Sequence, residues 1–120
     1  MVKLVFVLRR LPHLSRQEFQ RYWRERHAPL VEKHRAVLGI RRYVQLHTLD
    51  SADNEALRAS RGGPEAYDGI AELWFETQNP MPASPEAAAA ARELLEDERR
   101  FIDLARSPLW IAEERPVIDG

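Results

Sequence analysis

The hydrophobic pattern changes period several times along the chain. Val2–Leu8 is an almost unbroken apolar run, β-branched and aromatic, and reads as a strand covered on both faces. After a connection through residues 9–14 the period becomes helical, with Phe19, Trp23 and His27 at i, i+4 and i+8. Ser15 and Glu18 form a capping-box pair at its start, and Leu14 and Phe19 occupy the two positions of a hydrophobic staple. Pro29 has no N–H and crowds the carbonyl of Glu25, so the helix is expected to kink or end near His27. A second helical piece then begins with Pro29 in its first turn. Leu30, Val31, His34, Val37 and Leu38 carry it to Gly39, a capping candidate.

Residues 40–48 alternate as a strand, with Ile40, Arg42, Val44 and Leu46 on one face and Arg41, Tyr43, Gln45 and His47 on the other. Residues 49–65 are rich in Ala, Asp, Asn, Ser and Gly, and Gly62-Gly63-Pro64 breaks any helix there. This predicts a long loop with room for one short helix near 54–60, and loops of that length often line a site. Residues 67–77 read as a strand with Ala71, Leu73 and Phe75 facing one way and Ile70, Glu72 and Trp74 the other. A proline-rich loop over 79–85 ends in Ser84-Pro85, a cap followed by proline at the first helical position. The alanines at 87–91 and then Leu94, Leu95, Glu98, Phe101, Ile102 and Ala105 give an amphipathic helix. Ser107-Pro108 ends it. Residues 109–118 form a last strand, which Pro116 confines to a sheet edge.

The order β-α-β-β-α-β predicts an α+β, ferredoxin-like domain over residues 1–120: an antiparallel four-stranded sheet with both helices on one face. By alternation, the uncovered face carries Val5, Val7, Tyr43, His47, Ile70 and Trp74. That is too much apolar surface to leave wet on a monomer. A homodimer packed sheet to sheet is the economical expectation, with a ligand as the other possible cover.

Composition narrows the function classes. Eighteen basic against nineteen acidic side chains leave a net charge of -1, with no cation excess for phosphates, so no nucleic acid partner is expected. The absence of cysteine excludes a disulfide scaffold, a thiol nucleophile and Cys-ligated metal centres. No apolar run approaches the roughly 20 residues that span a bilayer. The N-terminal apolar stretch meets its charges, Arg9 and Arg10, only afterwards, unlike a signal peptide. No membrane partner and a cytoplasmic location are therefore expected. His27 and His34 stand i, i+7 across a proline, not at the i, i+4 spacing of a helical metal site. No Gly-rich phosphate loop and no G-x-S-x-G elbow occur. Neither a metal nor a cofactor is expected.

Four stretches together resemble the EthD family. Phe19, Tyr22-Trp23 and His27-Ala28-Pro29 resemble its first-helix signature, F-x-x-Y/W-W-x-x-x-H-x-P. Gly39-Ile40-Arg41-Arg42-Tyr43 and Tyr67-Asp68-Gly69-Ile70-Ala71-Glu72-Leu73-Trp74-Phe75 are similar to its second and third strands. Residues 96–103 resemble the end of its second helix. The resemblance implies a dimeric α/β barrel, two ferredoxin-like protomers whose sheets close around a pocket in each. Superfamily relatives isomerise, cyclise, dehydrate or oxygenate without a cofactor, so the fold is implied more sharply than the chemistry. One isomerase relative pairs its histidine with a third-strand cysteine, which this chain lacks.

His27 is the first candidate for chemistry, because imidazole donates and accepts protons near neutral pH and the matching histidine of relatives is implicated in acid–base work. The bland reading ties it to a backbone carbonyl. Tyr43 could donate to a developing oxyanion, or serve as an interface aromatic. His47 shares its strand face, with a wet strand end as the alternative. Asp68 and Glu72 could act as acids if buried among apolar groups, or, for Glu72, pair with Arg41 or Arg42. Trp74, Ile70, Val7 and Trp23 are expected to wall the pocket. The expectation is a small-molecule enzyme doing cofactor-free acid/base chemistry, with His27 and Tyr43 catalytic, on an aromatic, lactone or polyketide-like ligand. A non-catalytic binding or accessory protein, and a cofactor-free oxygenase or redox accessory, are the alternatives.

Overall fold

The computed structural model of the chain describes residues 2–76 and 82–120. The expected end of the third strand at Thr77, and residues 79–81 of the proline-rich loop, lie outside them.

Four strands, β1 (Val2–Leu8), β2 (Ile40–His47), β3 (Gly69–Phe75) and β4 (Leu109–Ala112), form one sheet in the order β2-β3-β1-β4, antiparallel throughout. The apolar runs of β1 and β3 occupy the two central places, as their continuous hydrophobicity requires. The last strand is shorter than expected. Its Ala112 already stands opposite Lys3, so nothing of β1 remains for residues beyond 113 to pair with.

The first helical segment runs as α1 (Arg16–Tyr22), a wide π turn (Trp23–His27), α2 (Ala28–Lys33) and α3 (Arg35–Leu38). Its start carries the expected capping box: Ser15 Oγ accepts from the Glu18 N–H, and the Glu18 carboxylate accepts from the Ser15 N–H. The helix changes at His27, where a kink or an end is expected, and α2 begins there with Pro29 in its first turn; the change takes the form of a π turn. Pro29 cannot donate to Glu25, and the Ala28 N–H bonds to Trp23 O, one residue further back than in an α-helix. Gly39, left-handed at φ 71°, closes the segment.

The stretch expected as a long loop contains a full helix, α4 (Ala52–Arg61). Ser51 caps its start by accepting from the Asp53 N–H, and left-handed Gly62 closes its end. It buries no residue fully, so its sequence lacks the apolar stripe that usually announces a helix. Then α5 (Pro85–Glu98), capped by Ser84, packs back on the sheet, and a short 3-10 turn (Leu104–Arg106) leads into β4.

The pairing between β2 and β3 overturns one expectation. Directly opposed residues share a sheet face. Tyr43 opposes Leu73, Gln45 opposes Ala71 and His47 opposes Gly69, so these three side chains join the helix-covered face. Val44 and Leu46 oppose Glu72 and Ile70 on the open face instead. Alternation holds within β3 and within β2 from Arg42 onward, but not at Ile40, and the register between strands was not available from it. A bulge at Arg41, between Ile40 and Arg42, also lets Ile40 and Tyr43 turn to the same side although three apart. The core lies between this face and the helices, built on Leu8, Phe19, Trp23, Ala71, Phe101 and Ile102, with Val31, Ile40 and Phe75 beside it.

Candidate functional site

Between the helix-covered sheet face and the helices lies a cavity of about 390 Å³. Leu4, Phe6 and Leu73 floor it, and Val31, Leu94 and Leu95 wall it from α2 and α5. Among the described residues its titratable lining side chains are three: His27, Tyr43 and Glu98.

His27 closes the π turn and is 5% exposed. Its Nδ1 lies 2.8 Å from Asp97 Oδ2, and Tyr22 Oη donates to Asp97 Oδ1 at 2.5 Å. Arg100 Nη1 stands 3.7 Å from the same Oδ1. A carboxylate can only accept, so Asp97 fixes the proton of His27 on Nδ1 and leaves Nε2 with its lone pair. Nε2 has no hydrogen-bond partner among the described residues, yet none of their fully enclosed side-chain nitrogens or oxygens lacks one. Nε2 therefore opens on the cavity. Burial pushes the imidazolium pKa down and outweighs the opposing pull of Asp97, so the ring is held neutral. The bland expectation, a histidine tied to a carbonyl, is replaced by one oriented through a buried carboxylate.

Tyr43 is oriented by a relay along β2. His47 Nε2 donates to Gln45 Oε1 at 2.8 Å, which turns the Gln45 amide so that Nε2 donates to Tyr43 Oη at 2.8 Å and to Trp23 O at 3.1 Å. Tyr43 thus accepts from Gln45 and keeps its own O–H for a cavity partner. Burial raises its pKa, with Gln45 opposing, so it stays a phenol. Burial, helped by the charge of Arg24, lowers the pKa of His47. His47 also stacks on Trp23, ring centroids 4.6 Å apart at 19°. Trp23 in turn lies so close to β3 that a Cβ on Gly69 would come within 2.5 Å of its ring.

Glu98 is half-buried on α5, one residue beyond Asp97, and has neither a hydrogen bond nor an ion pair with any described residue. Burial and the charge of Asp97 push its pKa up to about 7 against the weaker pull of Arg99.

The structure therefore brings together His27, Tyr43 and Trp23, with His47 behind them. The other five candidates stand elsewhere. Val7, Ile70, Glu72 and Trp74 lie on the open sheet face, away from the cavity, because β1 and β3 turn Leu8, Ala71, Leu73 and Phe75 inward. Glu72 is ion-paired, but with Lys3 at 3.1 Å rather than with Arg41 or Arg42. Trp74 is packed between Lys3 and Arg42, 4.6 and 4.7 Å from its ring centre, and its N–H donates to Glu114. Asp68, fully buried, accepts from the Arg10 N–H at 2.8 Å, Arg10 Nη1 at 2.6 Å and Arg16 Nε at 3.0 Å. Burial pushes its pKa up, but these donors overcome it and hold the carboxyl below its ordinary range. Asp97, Gln45 and Glu98 escaped the sequence reading. For Glu98 a signal existed: a carboxylate on the apolar stripe of its helix.

Among the described residues no cluster of three or more His, Asp or Glu is placed to hold a metal ion, and no helix is long and apolar enough to cross a membrane. Residues 11–105 match the EthD domain. The chain belongs to the EthD family.

Solved structures carry the same ferredoxin-like fold. An ethyl tert-butyl ether d (EthD) family protein of Bacillus halodurans is 22% identical, covering 96% of this chain and 99% of its own, with a TM-score of 0.61. An EthD-like protein of Ralstonia eutropha is 20% identical over 93% of this chain and 90% of its own, TM-score 0.61. A dimeric protein of unknown function and ferredoxin-like fold from Bacteroides fragilis is 12% identical over 94% and 95%, TM-score 0.58. Among curated proteins none matches this EthD chain at a significant level.

Proposed function

We propose that the protein is a small-molecule enzyme that moves protons without a cofactor, by isomerisation, cyclisation or dehydration of an aromatic, lactone or polyketide-like compound. The observation that carries this is the His27–Asp97 pair. A neutral imidazole, its tautomer set by a buried carboxylate, presents a bare nitrogen to an apolar cavity. The cavity volume, about 390 Å³, suits a ligand of one or two rings. His27 Nε2 is the base toward a C–H beside a carbonyl, and the free O–H of Tyr43 donates to the oxygen on which charge develops. The apolar walls lower the local dielectric and strengthen both interactions.

We also propose that the working form is a homodimer, packed through the open sheet face. Leu46 and Trp110 are 44% and 48% exposed there, beside Val5, Val7, Val44 and Ile70.

The test is deuterium incorporation from heavy water into α-angelica lactone, a β,γ-unsaturated lactone, followed by proton NMR. Binding of β-naphthol, a neutral enol analogue, is read in parallel by fluorescence. His27→Gln is expected to lower exchange by about a hundredfold or more while β-naphthol affinity changes less than about threefold. Equal exchange in wild type and variant, with binding intact, would leave a non-catalytic binding protein.

A further inference from the structure

We propose that Glu98 is the proton-donating partner of His27, and that the pair takes an uncharged carbonyl compound such as an enone, an unsaturated lactone or a β-hydroxy ketone. This rests on the acid/base reading of His27 and adds its second half.

Helix α5 turns Ala91, Leu94, Leu95 and Glu98 toward the cavity, so a carboxyl group stands in an otherwise apolar row. A carboxylate at that depth is normally paired. This one has no cation within ion-pair distance among the described residues, and its oxygens are not enclosed. Glu98 lines the same cavity as His27. Two successive carboxylates are thereby divided in role. Asp97 points to the imidazole and fixes the base, while Glu98 points into the cavity and is free for the ligand.

The groups facing Glu98 favour its protonated form. His27, from the π turn, and Tyr43, from β2, are both neutral, and α2, β1, β3 and β4 offer the cavity no charge. On its own helix Asp97 opposes ionisation and Arg99 favours it less strongly. With a pKa pushed up to about 7, about half of Glu98 carries its proton at neutrality while His27 is unprotonated, the division of labour that acid–base pairs need.

The proton balance closes without a further reactant. His27 Nε2 takes a proton from the carbon beside the carbonyl. The C–H electron pair becomes the C=C of an enol, the carbonyl π pair moves to oxygen, and that oxygen takes the Glu98 proton. The enol then returns its O–H proton to Glu98 as the imidazolium protonates the γ carbon. The double bond has migrated and both side chains are restored. In a β-hydroxy ketone the Glu98 proton instead leaves with the departing hydroxyl as water, and solvent resets the pair. Among the described residues the cavity lining holds no Lys or Arg, so an anionic ligand finds no counter-charge beside Glu98, which is why the compound is uncharged.

The test uses the full-length protein and α-angelica lactone, with exchange measured across pH in wild type, Glu98→Gln, Glu98→Leu and His27→Gln. Wild-type kcat is expected to fall as pH rises through about 7. Glu98→Leu should lose about a hundredfold in kcat with KM within about threefold, and Glu98→Gln, which cannot ionise, should lose the alkaline fall. β-Naphthol binding reports that each variant has kept its cavity. Exchange that survives Glu98→Leu within about threefold, with the alkaline fall retained in Glu98→Gln, but is abolished by His27→Gln, overturns the role of Glu98 and leaves the His27 reading standing. Wild-type exchange no faster than in buffer, or undiminished in His27→Gln, overturns both.

Discussion

Asp97 Oδ2 lies 2.8 Å from His27 Nδ1, across 70 residues of sequence, and this bond decides which imidazole nitrogen meets the cavity. It joins the end of the π turn to the last turn of α5. Because Asp97 pulls the His27 pKa upward against burial, removing its charge should lower that pKa further. In Asp97→Asn, NMR titration should show His27 protonating at lower pH than in wild type. A rise would mean that the carboxylate is not the partner.

Glu98 should make the protein less stable as pH rises. Its folded pKa is about 7, above the roughly 4.3 of an unfolded chain, so the native state holds the proton more tightly. Stability is therefore lost between about pH 4 and pH 7 and stays low above that. Glu98→Gln should be more stable than wild type by about 1–3 kcal/mol at about pH 8, with the difference vanishing below about pH 4. Urea unfolding at the two pH values checks it.

Asp68 has the opposite sign. Its folded pKa is held below the ordinary carboxylate range, so its contribution is present above about pH 4 and lost as pH falls through the depressed value. Asp68→Ala should cost about 3–5 kcal/mol at neutrality, because Arg10, Arg16 and the Arg10 N–H lose a buried acceptor. The penalty should shrink in acid.

Gly69→Ala should destabilise by about 2–3 kcal/mol, since the new methyl meets the Trp23 ring at 2.5 Å and Leu46 O at 2.8 Å. Trp23 also lines the cavity, so β-naphthol affinity should fall in the same variant. Unchanged melting and binding would show that β3 and the π turn separate freely.

Leu46→Glu and Trp110→Glu place charge on the open sheet face. Sedimentation should show dimers in wild type and monomers in either variant, with the cavity on the other side of the sheet intact to β-naphthol.

The strands, the capped first helix and the place of Pro29 were legible because each rests on local chemistry: apolar runs, a Ser-x-x-Glu box, a missing N–H. The position of His27 at a helix irregularity was legible. Its partner was not, because Asp97 is 70 residues away and hydrophobic period says nothing about which carboxylate folds onto which imidazole. Tyr43 was assigned to the wrong face because alternation gives two faces without saying which is which, and the β2–β3 register settles that. Trp74 and Ile70 lie on the open face to which alternation assigned them, but the cavity is on the other side of the sheet. Helix α4 was legible only as a short helix near 54–60 within a loop, because it fully buries nothing and Ser51 gave no sign of being its cap.

The central claim, that His27 presents an unprotonated nitrogen to a ligand in the cavity, is tested most directly by nitrogen NMR of the His27 ring near neutral pH, without and with β-naphthol. The expected result is an Nδ1–H tautomer whose bare Nε2 resonance shifts as the cavity fills. A proton resident on Nε2, or a resonance unmoved when fluorescence shows the ligand bound, would contradict it.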